Sequence, residues 1–366
     1  MSHPFLVSDG GAIGHILLFV PLYEAEHFAG VYNALIDSMA DGCRITLLAE
    51  PAALDIMAGW PVAKSHKDKL TIVSAGPWKL TAWARDPAVA VPVEEGAALV
   101  VSNALDRRDD LAGLKLLADQ DGFSLSDADI GFEGGNMLFG QDHVFIGVDT
   151  VAALDDPATI AELVPDTCQK IIIGCSKPVA AQMTRPAMAG EEQWQEIFHY
   201  HNKIGTHQPV FHIDMFLSLA GQDADGRQII LVGDPAMAAE ILGTPLHPHS
   251  LADCFDEIAD DLVAQDFTVI RNPLPMIYMD DIKERSRTWI YASGNNVLVQ
   301  QCRDRGNIVW MAEYGHDHWP ELAATDAVNR QIWENLGFAV RTIPQGQLLA
   351  ENLGGLHCLT NVVERG

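Results

Sequence analysis

Four short stretches, far apart along the chain, carry residues that could do covalent chemistry together. "AWARDPAVAV" offers Arg85 and Asp86 beside Trp83, "GFEGGNMLF" offers Glu133 and Asn136, "VFHIDMFLS" offers His212 and Asp214, and "GGLHCL" offers Cys358. A thiol, an imidazole and three carboxylates are the parts of a nucleophilic site: a thiolate attacks, and an imidazole moves protons. Read as a strand, "FHID" projects His212 and Asp214 from one face, about 7 Å apart. Each stretch alone is weak, because HxD, RD and EGG are common and a free cysteine is usually a small core hydrophobe. Their order and spacing as a set carry the signal.

Composition narrows the chemistry. The chain has 366 residues, 48% hydrophobic and 20% charged, a soluble globular balance rather than a disordered one. Fifty acidic against 23 basic residues give a net charge of −27. That argues against phosphate-backbone binding, which needs basic surface, and is compatible with a cationic ligand as well as with a merely solubilising acidic surface. No apolar run approaches the roughly 20 residues of a membrane span; "AIGHILLFVPLY" is broken by His15 and Pro21. With no basic segment and cleavage site at the start, the expected compartment is the cytoplasm. The cysteines Cys43, Cys168, Cys175, Cys254, Cys302 and Cys358 include no CxxC pair, so reduced thiols are expected, five of them structural. The pairs His199/His201, His247/His249 and His316/His318 lack an accompanying set at ligand spacing, so neither metal nor cofactor is expected.

The elements that must position these residues read as a repeat. Short β-branched runs such as "HILLFVPL", "RITLLAE", "HVFIGVD", "KIIIGC", "QIILVGD", "WIYASGNNVLVQ", "NIVWMAEYG" and "LHCLTNVV" alternate with helical patterns. In "SLADCFDEIADDLVAQD", Leu251, Phe255, Ile258, Leu262 and Val263 fall on one face behind a capping Ser250. A unit of strand, turn, strand, helix, strand recurs over roughly 60 to 70 residues, so about five fill the chain as a toroidal or propeller-like α/β array. No linker divides it, so residues 1–366 read as one domain.

Taken in order and register, "WARD", "FEGGN", "FHID" and "GGLHC" resemble the guanidino-group-modifying superfamily, the penteins. Within it the chain is most similar to agmatine deiminases and bacterial peptidyl-arginine deiminase-like enzymes. "SGNNVLVQQ" and "NLGFAVRTI" sit where the last unit of that fold would lie. The resemblance implies a five-bladed α/β-propeller of pseudo-fivefold ββαβ units around a central channel, acting without cofactor and often paired as a homodimer. It implies hydrolysis of a C–N bond in a small guanidino compound through an S-amidino-cysteine intermediate. Asp86 and Asp214 would grip the planar cation with paired hydrogen bonds. Cys358 would attack, His212 would act first as acid and then as base, and Glu133 would orient His212. Trp83 would stack on the substrate, with Asn136 and Asn295 as further contacts, although "GNN" also reads as an ordinary turn. The chain departs from agmatine deiminases in "DPAVAV" after Arg85 and in "ENLGGLHC" before the cysteine. The substrate therefore stays open, and so do amidino transfer, double hydrolysis, peptidyl-arginine deimination and a catalytically silent binding protein.

Overall fold

In a computed structural model, the described residues are 5–39, 41–93, 97–121, 123–154, 156–164, 168–179, 182–199, 205–317 and 319–366. They form a mixed α/β structure with six sheets among the described residues. Five sheets share one plan, an antiparallel strand pair joined through helices to a third, parallel strand. Ala88–Val91, Ala97–Val101 and Phe123–Asp127 make one, with helix Arg108–Asp121 in the crossover. Met137–Phe139, His143–Gly147 and Gln169–Ile173 make the next. Leu217–Gln222, Gln228–Asp234 and Thr268–Pro273 follow, crossed by Pro235–Leu242 and Ala252–Ala264. Leu298–Cys302, Gly306–Ala312 and Ala339–Ile343 repeat the plan with helix Ala323–Asn335.

The two ends of the chain build the fifth sheet together. Thr360–Arg365 lies antiparallel to Ile13–Val20, which continues in parallel to Arg44–Ala49 and Leu70–Ser74. Leu17, Leu18 and Phe19 are fully buried, as expected for a central strand covered on both faces. Pairing of the last strand with Ile13–Val20 brings Cys358 back beside residues of the first hundred.

The sixth sheet lies outside this plan and corrects the strand reading. It orders Gln182–Ala189, Glu192–His199, Ser286–Tyr291 and Met276–Asp281, two hairpins joined by a parallel pair. "WIYASGNNVLVQ" is therefore two strands in two sheets. The break is made by Ser293, whose Oγ accepts from the N–H groups of Asn295 and Asn296 and folds the chain into a turn. "FHID" is likewise no strand. His212 is extended, and Ile213–Met215 form a single 3₁₀ turn before the strand begins at Leu217. Leu356–Leu359, with Cys358 in it, is a helical turn rather than the start of the last strand.

Ser250 does not cap its helix. Ala252–Ala264 starts after Leu251 in the left-handed region with no side-chain cap, and Val263 is 57% exposed while Phe255, Ile258 and Leu262 are buried. No helix among the described residues is long and apolar enough to cross a membrane. Cys175 and Cys254 form a disulfide with Cα atoms 5.5 Å apart, against the expectation of reduced thiols. Their sequence separation of 79 hid a pairing made only by folding. Cys43, Cys168, Cys302 and Cys358 are free.

Candidate active site

The four stretches converge, and a fifth joins them. Each lies just before the first strand of one of the five repeated units: 84–87 before Ala88, 133–136 before Met137, 212–215 before Leu217, 293–297 before Leu298 and 356–359 before Thr360. Equivalent turns of five similar sheets are thus where the candidate residues gather.

Buried polar side chains tie the turns into a closed circuit. Arg85 donates from Nε to the Gly134 carbonyl and from Nη2 to that of Met137, both at 3.0 Å. Asn136 Oδ1 accepts the Ile213 N–H at 3.1 Å and the Gln208 amide at 2.8 Å. Ser293 Oγ donates to the Met215 carbonyl at 2.6 Å. Asn296 Oδ1 accepts the Cys358 N–H at 3.1 Å, and the Arg85 N–H donates to the Cys358 carbonyl at 3.2 Å. A satisfied buried network of this kind fixes one arrangement of the turns, because any slip strands a desolvated polar group.

Inside the circuit, Cys358 Sγ lies 3.7 and 3.8 Å from the two oxygens of Asp214 and receives the Asn296 Nδ2–H at 3.1 Å. Facing atoms of His212, Asp214 and Cys358 all lie within 4.8 Å of one another. His212 meets Glu133 Oε2 at 2.9 Å through Nε2, and its Nδ1 lies 3.7 Å from Asp86 Oδ1. That Nδ1 and that Oδ1 are buried without a hydrogen-bond partner. Asp214 Oδ2 takes the Nδ1 of His357 at 2.7 Å. Arg107 bridges Asp86 Oδ2 at 2.7 Å and Glu133 Oε1 at 2.6 Å. Asp86, Arg107, Glu133, His212 and Cys358 line, with Trp83, a cavity of about 610 Å³, and Asp214 and His357 lie behind them, outside its lining. A cavity of about 770 Å³ against the sixth sheet contains none of them.

Charge sets the resting protonation. Burial opposes a charged His212, yet Asp86 and Glu133 outweigh it and raise its pKa to about 9, so it is an imidazolium at neutral pH. Burial likewise works against an ionised Glu133, but His212 and Arg107 hold it well below the usual carboxylate range. Asp86, buried and only partly offset by His212 and Arg107, rises to about 7. Burial, with Arg85 nearby, pushes His357 down, so it is neutral and donates its Nδ1–H to Asp214. Burial, with Asp214 and Asp86 beside it, drives the Cys358 thiol well above its ordinary value. The sulfur is therefore a protonated thiol at neutral pH.

The expected residues fare differently. Cys358, His212, Glu133, Asp214 and Asp86 are brought together, and Trp83 forms a cavity wall. Asn136 reaches the cavity wall, but its side-chain oxygen is spent on the backbone circuit. Asn295 does not reach the cavity: it is buried and bonded to Asn272 and the Leu231 carbonyl. Its neighbour Asn296 is the one that touches the sulfur. The glycine pair before the cysteine is extended at Gly355 (φ −155°), so no hinge is required. Close packing explains it: a Cβ at Gly354 would sit 2.4 Å from the Trp83 ring, and one at Gly355 2.5 Å from Asn296 Oδ1.

Sequence reasoning missed His357 and Arg107. His357 stood beside the cysteine in the motif, whereas Arg107, in "LDRRDD", belonged to none of the four stretches. The donor atoms of His212, Asp214 and Cys358, or of Asp86, Glu133 and His212, are also close enough to share a metal ion. His247 instead packs on Trp289 and His249 on Phe198, at centroid distances of 4.4 and 4.9 Å. His201 and His318 lie outside the described residues.

No protein-family model matches the chain, and no curated protein matches it by sequence. Solved structures do match. A Porphyromonas gingivalis protein provisionally assigned as an arginine deiminase superposes with a TM-score of 0.66 at 15% identity, over 98% of this chain and 97% of that one. The agmatine deiminase of C. jejuni gives 0.64 at 13% identity, over 98% and 95%. A protein provisionally assigned as a peptidyl-arginine deiminase gives 0.63 at 14%, over 98% of each chain. Over nearly its whole length, the chain has the fold of these pentein-superfamily proteins.

Proposed function

We propose that the protein is a guanidine-modifying hydrolase that deiminates a small, agmatine-like cation through a covalent bond to Cys358. The five repeated units are then blades of one propeller, 1–366, and the five turns ring the inner end of its channel. One observation carries the reading: a buried sulfur, His212 and Asp86 line one gap, with Asp214 3.7 Å from the sulfur. In that gap Asp86 Oδ1 and His212 Nδ1 have no protein partner. Structural likeness to deiminases supports it.

A guanidinium in the gap places N–H groups on Asp86 and Asp214, and its positive charge lies beside the sulfur. The field that kept the thiol protonated is reversed, and the thiol proton leaves to solvent. The thiolate attacks the central carbon, forming a C–S bond and a tetrahedral adduct. His212 gives its proton to one nitrogen, the C–N bond breaks, and ammonia departs. Water then attacks the S-amidino carbon while neutral His212 takes one of its protons. The C–S bond breaks, sulfur keeps the bonding pair and takes up the remaining hydroxyl proton, and a neutral ureido group leaves. Glu133 holds the His212 ring through Nε2 in both halves, and Asn296 donates to the sulfur whenever it carries charge.

The first test is incubation with agmatine, arginine and simple alkylguanidines, with ammonia followed in time. Release of ammonia with a ureido product from at least one of them is expected. An amidino group passed to an added amine would assign a transferase instead, and binding without turnover would assign a silent member of the fold. The donor clusters also support a metal-dependent reading, which a stoichiometric metal content in the active protein would favour.

Close packing gives a further check. A Cβ on Gly135 would lie 2.5 Å from His212 Nδ1 and 3.2 Å from Asp214 Oδ2. Gly135→Ala is expected to push the imidazole off line and lower kcat/KM by about 100-fold, the usual cost of a misplacement near 1 Å. The melting temperature should fall by a few degrees, since overpacking a buried site costs about 1–3 kcal/mol. Full activity in this variant would show that the imidazole need not sit where the structure puts it.

A further inference from the structure

One guanidinium already rests on these acids, and it belongs to the chain. Arg107 ends the 3₁₀ turn Leu105–Arg107 beside exposed Asp106 and Arg108, and its side chain is 15% exposed in the cavity wall. Its Nη2 donates to both Asp86 Oδ2 and Glu133 Oε1, and its Nε reaches the same Glu133 oxygen at 3.2 Å. With His212 bonded to Glu133 and facing Asp86, the four groups close a loop in which two carboxyl groups alternate with an imidazole and a guanidinium.

A planar guanidinium gains most from a carboxylate when two N–H groups meet two oxygens side by side. Asp86 offers an incoming guanidinium only Oδ1, because Oδ2 is held by Arg107. Resting on the guanidine reading above, we propose that Arg107 is a specificity-determining residue: it occupies the carboxylate position that the substrate must take, so that binding exchanges one guanidinium for another. Asp106 and Arg108 on either side of Arg107 are exposed, and Arg107 makes none of the hydrogen bonds of the buried circuit, so its head can swing toward solvent without disturbing that circuit. Exchange of like for like gains nothing from the charges themselves. Net affinity must then come from the rest of the substrate, through an alkyl stem on Trp83 and Leu353 and a far-end group at the mouth, where Asp106 lies. A bare guanidinium or methylguanidine is refused, and a longer cation is admitted.

A fixed brace predicts the opposite response to its removal, since losing a brace weakens binding. The full-length protein and its Arg107→Gln and Arg107→Lys variants, each checked for native circular dichroism, would be titrated calorimetrically with guanidinium chloride, methylguanidine and agmatine at constant ionic strength. Arg107→Gln is expected to bind the two short cations at least tenfold tighter than the parent. The agmatine-to-methylguanidine affinity ratio should fall about tenfold. Arg107→Lys, whose ammonium cannot hold both acids in one plane, should shift the same way by less, and it carries the test if the glutamine variant does not fold. Unchanged or weaker binding of the short cations in the folded variants would overturn the proposal. Tighter binding without turnover of any guanidine would leave the exchange standing and remove the hydrolase reading. Turnover with an unaltered affinity ratio would do the reverse.

Discussion

Cys358→Ala should lower turnover of a guanidino substrate by on the order of 10⁴-fold or more, the scale seen when a covalent nucleophile is removed. The fold should survive. The side chain is small, the backbone N–H still donates to Asn296 Oδ1, and Asn296 Nδ2 keeps the Asp214 carbonyl at 3.3 Å. Substrate binding should survive as well, because the acids that meet the cation are untouched and the residue lost is a neutral thiol. The check is ammonia release beside a calorimetric titration of the same substrate. A variant that binds normally yet turns over at more than a few per cent of the parent rate would remove the sulfur from the chemistry.

His212→Asn comes next, with an expected loss of about 10²- to 10⁴-fold in kcat/KM, the range for a positioned acid–base group. Its pH dependence is more telling than its size. Asp86 and Glu133 raise His212 from its ordinary 6.5 to about 9, so the proton that the leaving nitrogen needs is present below pH 9 and lost above it. In the parent, kcat/KM should fall on the alkaline side with a midpoint near 9. The residual activity of His212→Asn should lack that limb. A parent profile that falls near 6.5 instead would mean that the two acids do not hold the imidazole as the geometry requires.

Much of this site was legible before any coordinates, and the reason is topological. Turns in equivalent positions of similar sheets keep their order along the chain, and WARD, FEGGN, FHID and GGLHC, each trivial alone, were read as a set through their resemblance in that order to the penteins. Local conformation was less legible. His212 and Asp214 share the site because a 3₁₀ turn gathers them, not because a strand alternates, and the two patterns are indistinguishable over three residues. The choice between Asn295 and Asn296 was decided by a hydroxyl, Ser293 Oγ, that folds the turn so one amide faces the core and the other the sulfur. Arg107 and the Cys175–Cys254 bond were out of reach, since both depend on distances between segments that only folding sets. The sixth sheet interrupts the repeat with two hairpins whose alternation is weak, which is why that region yielded no strand pattern beyond one misjoined run.

The central claim is a bond between Cys358 and the guanidino carbon. Rapid mixing of the protein with a turned-over guanidine, acid quenching within one turnover and intact-mass measurement test it directly. A mass gain equal to the substrate less ammonia, localised to the peptide containing Cys358 and absent from Cys358→Ala, is expected. Steady ammonia release at a rate that demands an accumulating intermediate, with no such adduct at any quench time, would contradict it.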